Sequence, residues 1–600
     1  MDKRSVLGIV LIVLITLTLP YYQKWVTGNQ PPVQEKILAD STRINDLKKD
    51  SLQQARQSVA PAPTETPVER TGGTRNEMPP LEITSASKEV RIEIDSPLLK
   101  VVLSSRHGGN PVKWELKKYA YYLGGQVNLA DNNGFDVDFT NRDGKRLKLS
   151  EFNLYTLNDR NRKIILNEKN PRAEISFYLP VKDGRIVKKM VFYYDKYSAD
   201  VIVKFQKLSN YIINRRYLAS WRNGLPLTEE DQIEDSRFSR AYAYMAGDLE
   251  DLDVSDEKGE QKNLNGRVDW AAIRNKYFVT AIVPRSVDKT NGVILSGSAH
   301  KTDKLLKKKY ELSLDIPYQP AIGQVDSFIV YTGPLDNGIL KSYGVGLQTL
   351  IMNNGWYERI FRVISLLLLP VLQFMHKIIP NYGIVIIIFC FLIKLVLHPL
   401  TKKSYQSMGQ MQTIQPIMAE MKEKYKGDPQ RMNKEMMKLY KEHGVNPLGG
   451  CLPMMLQMPL LISLYSVFRS TIQLRDQPFM LWITDLSRPD TLHLGFALPV
   501  IGASIHILPI LMAVSQIWQS KMTMSDPKQK AMIYLMPLMM LFFFYSLPSG
   551  LNLYYFIFNV LSMAQMKFIK KKTPEVAPVP VKSSAAKAAA AGRPRKSGRK

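Results

Sequence analysis

Beyond residue 380 the chain carries five apolar segments, at 382–400, 448–468, 496–518, 532–545 and 551–568, and the loops between them alternate in charge. That alternation constrains the fold more than any other feature. Apolar stretches of about 20 residues match the thickness of a bilayer core, and Lys and Arg collect in the loops that stay in the cytoplasm. Residues 401–446 hold nine Lys and Arg against five acids, and 519–531 hold Lys521, Lys528 and Lys530 against Asp526. The intervening loop 469–494 balances three Arg with three Asp, and the turn at 546–550 is uncharged. Only one threading puts every basic loop on the same side. The segment 532–545 is short, so a thinned or tilted surround is expected there. Residues 356–379 are a different case. Glu358, Arg359, Arg362 and Lys377 surround an apolar centre broken by Pro370, which predicts an interfacial amphipathic helix. Counting it as a span would invert the charge pattern.

At the other end, Lys3 and Arg4 precede an apolar run from Val6 to Leu19, followed directly by Pro20-Tyr21-Tyr22. A basic start and an apolar run without a small-residue cleavage site predict an uncleaved signal-anchor rather than a removed signal peptide. Both termini are then cytoplasmic and residues 23–380 lie outside. The expected class is a polytopic α-helical membrane protein with six transmembrane helices and a large all-β domain between the first two.

That β domain is why the whole chain averages to a soluble-looking mean hydropathy of −0.16. Residues 23–87 are rich in Pro, Gln, Thr and Ser and read as a flexible linker. After them come alternating runs at 89–94, 135–139, 174–179, 201–205 and 327–331, with turn signals at Asn133-Gly134 and Asp183-Gly184. Period two with β-branched and aromatic residues predicts antiparallel strands in one large sandwich. Two cysteines in 600 residues exclude a disulfide framework.

Within the bundle one charge stands out. Lys394 lies inside the second span, about 10 Å along the helix from its cytoplasmic end at Leu400, at ~1.5 Å per residue. Two readings are open: the side chain snorkels to the cytoplasmic surface, or it faces a polar interior. Gln457, Ser463, Ser504, His506, Gln516, Asn552, Tyr554, Tyr555, Asn559 and Gln565 supply such an interior, or serve as ordinary interhelical hydrogen bonders. None of the five C-terminal spans contains Asp or Glu. A proton relay through paired carboxylates is therefore excluded, and no two halves repeat each other as in most transporters.

Residues 401–446 predict a cytoplasmic helical hairpin turning at Gly427-Asp428-Pro429, with Lys422, Lys424, Lys426 and Arg431 as candidate recruitment residues. Of 26 Met, 22 follow residue 350, which suits either adaptable apolar contacts or plain core filling. The tail from 567 carries eleven Lys and Arg against Glu575, a composition for RNA phosphates or anionic lipid.

Several motifs together resemble the YidC family of membrane protein insertases. They are His398-Pro-Leu-Thr-Lys402, Ser404-Tyr-Gln-Ser-Met408, Val445-Asn-Pro-Leu-Gly-Gly-Cys451, Gln457-Met-Pro459, Phe479-Met-Leu-Trp-Ile483-Thr-Asp-Leu486 and Leu547-Pro-Ser-Gly-Leu551 with Tyr554-Tyr555. The long β insert is similar to the Gram-negative branch, whose periplasmic domain is a β-supersandwich. The resemblance implies a hydrophilic groove open to cytoplasm and lipid, lined here by Lys394, Gln457, Asn552, Tyr554 and Tyr555. The family's groove charge is usually Arg, so Lys394 keeps the charge and loses the planar fork.

It implies an inner-membrane insertase and chaperone for nascent membrane proteins, alone or with the Sec translocon. The basic tail would meet the ribosome. Membrane lipids are the other contact, and no cofactor, metal, small-molecule substrate or catalytic residue is expected. The expected layout is 1–22 signal-anchor, 23–87 linker, 88–335 β-supersandwich, 336–380 connector with the interfacial helix, 381–400 second span, 401–446 hairpin, 447–568 spans three to six, and 569–600 basic tail. Two rivals are an envelope glycan-binding or glycan-acting protein and a solute channel or transporter. The chain has neither an H-E-x-x-H nor a G-x-S-x-G motif, and no phosphate-binding GxxxxGK[ST] loop.

Overall fold

The computed structural model describes residues 83–572, except 131–133, 142, 158–159, 183, 209–210, 303–304, 320–322, 353–355, 445–451, 499–501 and 524–529. The expected signal-anchor, most of the linker, the Val445–Cys451 motif and most of the basic tail therefore lie outside the described residues. The described chain divides into two compact units. One holds the residues up to Leu367 together with Ser466–Arg475, and the other holds Leu368–Tyr465 and the residues from Asp476 onward.

The first unit is built from three sheets of nine, six and five strands. Four of the five alternating runs lie wholly in strands, and the run 89–94 does so from Arg91 onward: Arg91–Asp95, Phe135–Thr140, Arg172–Val181, Ser198–Gln206 and Val325–Pro334. In Ser198–Gln206 the residues Ala199, Val201, Val203 and Phe205 are buried, and those between them are half-exposed. This is the pleat placing one face on the core. Val181 pairs with Gly184 across the expected hairpin, where a Cβ on Gly184 would meet Gln206 O at 2.3 Å. Trp114, Trp221 and Trp270 are fully buried. Trp114 Nε1 donates to Thr332 O at 2.9 Å, tying the five-stranded sheet to the nine-stranded one.

Two findings differ from expectation. Arg91–Asp95 pairs in parallel with Arg162–Ile165, an exception to the antiparallel pattern. The linker also ends before 87, because Ile83 bridges Val181 and Ala86 N donates to Asn153 O at 2.8 Å. Two short helices complete the unit: α1 (Gln232–Phe238), capped by Asp231, and α2 (Asn337–Ser342), capped by Asp336. The segment Ser466–Arg475 joins them through ion pairs. Arg469 Nε lies 2.7 Å from Glu234, and Arg475 Nε lies 2.9 Å from Glu229.

Six of the remaining eight helices lie wholly in the second unit; α3 (Trp356–Ile378) runs out of the first into it, and the helix Leu452–Ser470 ends in the first. α3 stays helical through Pro370, so that residue does not break it, and Ile360–Ile378 is long and apolar enough to cross a membrane. The interfacial placement thus loses its length argument and rests on charge. α4 (Tyr382–Thr413) is capped by Asn381, whose side chain accepts from Ile384 N at 3.1 Å. It continues through Pro399 well past the expected end at 400. Its outer face is exposed at Ile384, Ile388, Phe391 and Leu395, while Ile386, Cys390 and Lys394 are buried on the other. That is the 3.6-residue period of a helix with one apolar face exposed and the other packed on protein.

The predicted hairpin is α5 (Gln415–Lys424) and α6 (Pro429–Glu442), closed on a core of Ile414, Met418 and Leu439. Then come α7 (Leu452–Ser470), α8 (Ile507–Thr523), α9 (Lys530–Phe544) and α10 (Ser549–Lys572). Helix was expected from 496, but Leu492–Leu498 and Gly502–Ile505 form a two-stranded hairpin instead. Asp490 marks where α8 then begins. Its Oδ2 accepts from Ile507 N at 2.8 Å and Leu508 N at 2.9 Å, satisfying the first free donors of α8 from seventeen residues away.

Candidate functional site

Lys394 is 7% exposed, deep on the inward side of α4. Its Nζ donates to Tyr405 Oη at 3.4 Å and sits 4.1 Å from the centroid of the Phe558 ring of α10. Helices α4 and α7–α10 contain no Asp or Glu to pair with it. The cation is held by an aromatic face and a hydroxyl, contacts worth about 0.5–2 kcal/mol each. That is less than the desolvation cost of a dry ammonium.

One turn before Phe558, the Tyr554 hydroxyl accepts from Gln457 Nε2 of α7 at 3.3 Å, and Cys390 lies beside the Tyr554 carbonyl at 3.8 Å. Further along α10, Asn559 Nδ2 donates to Ser515 Oγ of α8 at 3.0 Å. Gln565 Nε2 reaches His398 Nδ1 at 2.8 Å and Thr401 Oγ1 at 3.3 Å. α10 thus presents a row of polar groups to α4, α7 and α8. Gln457 Oε1, Gln516 Oε1, Asn552 Oδ1 and Gln565 Oε1 are buried without a hydrogen-bond partner among the described residues. An unmade bond of this kind costs about 1–3 kcal/mol. Each acceptor is therefore open to a donor that the described residues do not supply.

The family motifs meet in the same unit. Ser549 N donates to Arg488 O at 2.7 Å, Gly550 N to Leu486 O at 3.0 Å and Ser549 Oγ to Asp485 O at 2.8 Å, so the 479–486 and 547–551 stretches clasp each other. Phe479 packs over Gly383, where a Cβ would come within 1.9 Å of its ring.

Residues 374–576 match the family described as 60Kd inner membrane protein, and 91–367 match the YidC periplasmic domain. The membrane protein insertase YidC of Chlorobaculum parvum is 36% identical over 583 residues, covering 95% of this chain and 94% of that protein. The chain belongs to the YidC family of membrane protein insertases. That of Chloroherpeton thalassium is 33% identical over 614 residues, covering 99% of this chain and all of its own. A crystal structure described as an active YidC insertase with its first transmembrane domain resolved aligns at 18% identity and TM-score 0.35, over 82% of this chain and 94% of that one. The insertase is thus an inner-membrane protein with a large periplasmic β-sandwich domain.

Of the residues expected in the insertase groove, Gln457 and Tyr554 touch, and Lys394 lies against the next turn of α10. Asn552 and Tyr555 make further contacts at one end of α10. Asn552 Nδ2 donates to Phe544 O at 3.1 Å and Leu547 O at 3.4 Å, and Tyr555 packs on Phe544 at 5.6 Å, so both hold the turn between α9 and α10. Tyr405 and Phe558 were not anticipated. Phe558 is four residues after Tyr554, and that spacing alone puts it on the same face of α10. Lys424, Lys426 and Arg431 are exposed and Lys422 is half-buried, with Lys424 and Arg431 both 5.6 Å from the Tyr425 ring.

Proposed function

We propose that this insertase lowers the cost of moving a nascent chain's polar segment into the bilayer by offering it the polar row around Lys394. The observation that carries the reading is a buried ammonium without a carboxylate in the described helices α4 and α7–α10, together with buried acceptors that have no partner among the described residues. Acidic or polar residues of the client pair briefly with Lys394, Gln457 and Tyr554, while Asn552 and Tyr555 keep the α9–α10 end of the groove in shape. The client's apolar segment then partitions into lipid, at about 0.8 kcal/mol per buried CH₂. No bond is made or broken, so the protein acts without catalysis.

In this reading six helices span the inner membrane, both termini are cytoplasmic, and α3 lies in the interface. The layout is the one read from the sequence, with the β domain beginning near Ile83. The hairpin α5–α6, through Lys422, Lys424, Lys426 and Arg431, recruits or regulates, and the basic tail meets the ribosome. The insertase works alone or beside the Sec translocon.

The test is Lys394→Glu in proteoliposomes, scored by protease protection of a single-span client with an acidic outer segment. Reversal of the charge is expected to cut insertion about tenfold, one unit of 1.4 kcal/mol, with Lys394→Arg close to wild type. Unchanged insertion by Lys394→Glu would remove the charge from the mechanism.

A further inference from the structure

The first unit contains a cavity of about 810 Å³, within the range of about 300–1,000 Å³ typical of small-molecule sites. Nothing in the insertion mechanism uses it. Its walls include Tyr119, Tyr193, Tyr197 and Tyr343, with Asp200 and Arg285 among them. These groups are already fixed in place. Asp200 accepts from Tyr193 Oη at 2.7 Å on one oxygen and from Arg285 Nη2 at 2.8 Å on the other. Tyr343 Oη donates to Ser198 Oγ at 2.9 Å, and its ring meets Tyr331 edge-on at 5.4 Å. Tyr119 is braced in the same way against Phe278 at 5.5 Å.

Three properties narrow the occupant. First, the charges in the lining cancel: Lys118, Lys196 and Arg285 face Asp195, Asp200 and Asp336. In a chain of net charge +27, a site for phosphate or an acidic ligand would show an excess of bases, and this one does not. Second, the lining is rich in tyrosine, which offers a flat apolar face with a hydroxyl at its edge. Third, the strands that reach the wall are interior ones. Ser198–Gln206 is paired on both sides, as are Val325–Pro334 and Pro111–Ala120. No free edge is available there to receive an extended peptide as an added strand.

We infer that this cavity binds a neutral oligosaccharide. A sugar ring has an apolar C–H face for the tyrosines and a rim of hydroxyls that both donate and accept. Asp200 and Arg285 meet such a rim with a planar acceptor and a planar donor side by side. The inference goes beyond insertion and stands independently of it.

Isothermal titration of the full-length protein tests it, in a detergent without a sugar headgroup, with maltotriose, cellotriose and triacetylchitotriose as probes. At least one trisaccharide is expected to saturate the protein with a Kd of about 1 mM or tighter, equivalent to about −4 kcal/mol. Arg285→Ala and Tyr193→Ala are each expected to weaken that binding about tenfold. Arg285 is exposed, so its variant keeps the fold, which an unchanged thermal transition verifies. No saturation by any of the three at about 10 mM, or equal affinity in wild type and Arg285→Ala, overturns the inference. So does binding of a Leu- and Val-rich heptapeptide that both substitutions abolish while the sugars stay inert.

Discussion

Asp235 in α1 shows how a single side chain takes its character from the backbone around it. It is fully buried, and its carboxylate accepts from Thr228 N at 2.7 Å, Glu229 N at 3.3 Å and Lys276 N at 2.9 Å. Burial and the neighbouring Glu229 charge push its pKa up to about 6, against the pull of those N–H groups. A group raised in the folded state contributes stability that is complete below its unfolded value, near 3.8, and lost as pH rises through about 6. Its neighbour Glu234 is half-buried, and the Lys276 and Arg469 charges outweigh the desolvation and hold it well below the usual range. Its contribution has the opposite sign and disappears only as pH falls below the normal carboxylate range. Asp235→Asn should therefore flatten the rise in thermal stability of the full-length protein between about pH 6 and 4. It should also cost about 1–3 kcal/mol at pH 7.5, because an amide offers one acceptor where the carboxylate offered two. Differential scanning calorimetry across that range checks both. A pH profile identical to wild type would mean that Asp235 does not titrate there.

At the scale of elements, the hairpin was the easiest to read and the start of α8 the hardest. Met418, Met421 and Leu439 recur at helical spacing on either side of Gly427-Asp428-Pro429, so pattern and punctuation agreed. The start of α8 depends on Asp490, seventeen residues upstream of Ile507, a contact that no local pattern encodes. The extent of α4 was missed for a related reason. Polar residues after 400 end a membrane segment but not a helix, and the chain stays helical to Thr413. In the candidate site, Lys394 was visible because a charge in an apolar run is conspicuous, while Phe558 was hidden among many other apolar residues. The hairpin also yields a prediction of its own. Its buried core is only Ile414, Met418 and Leu439, with Met411, Ile417, Met421, Met436 and Tyr440 packed around it. Leu439→Ala should cost about 2–5 kcal/mol, enough to open so small an element. Hydrogen exchange should then show protection lost across α5 and α6 and kept at 382–394 of α4. Retained protection in α5 would show that the hairpin is held from outside its own core.

For the molecule as a whole, continuity of chain and continuity of fold are different things. The unit built on the β domain is completed by Ser466–Arg475, more than a hundred residues after its last strand. Arg475 carries that junction. Its side chain is almost fully buried, with Nε 2.9 Å from Glu229 Oε1 and Nη2 donating to Ala120 O at 2.8 Å. Its guanidinium lies 6.0 Å from the Tyr277 ring and 5.8 Å from that of Phe278. Gln473 Nε2 adds a bond to Asp336 Oδ2 at 2.7 Å. A buried ion pair of this kind contributes little net stability against well-packed apolar substitutes, yet removing one partner strands the other charge at a cost of about 3–5 kcal/mol. Arg475→Met should therefore destabilise the unit by roughly that amount. Adding Glu229→Leu should recover most of it, so that the double variant is more stable than Arg475→Met alone. The comparison is made on the full-length protein, by thermal unfolding followed through the near-ultraviolet signal of the buried tryptophans of the β domain. A double variant whose loss is the simple sum of the two single ones would show that the pair is not coupled. The junction would then rest on Gln473 and on the Arg469–Glu234 pair instead.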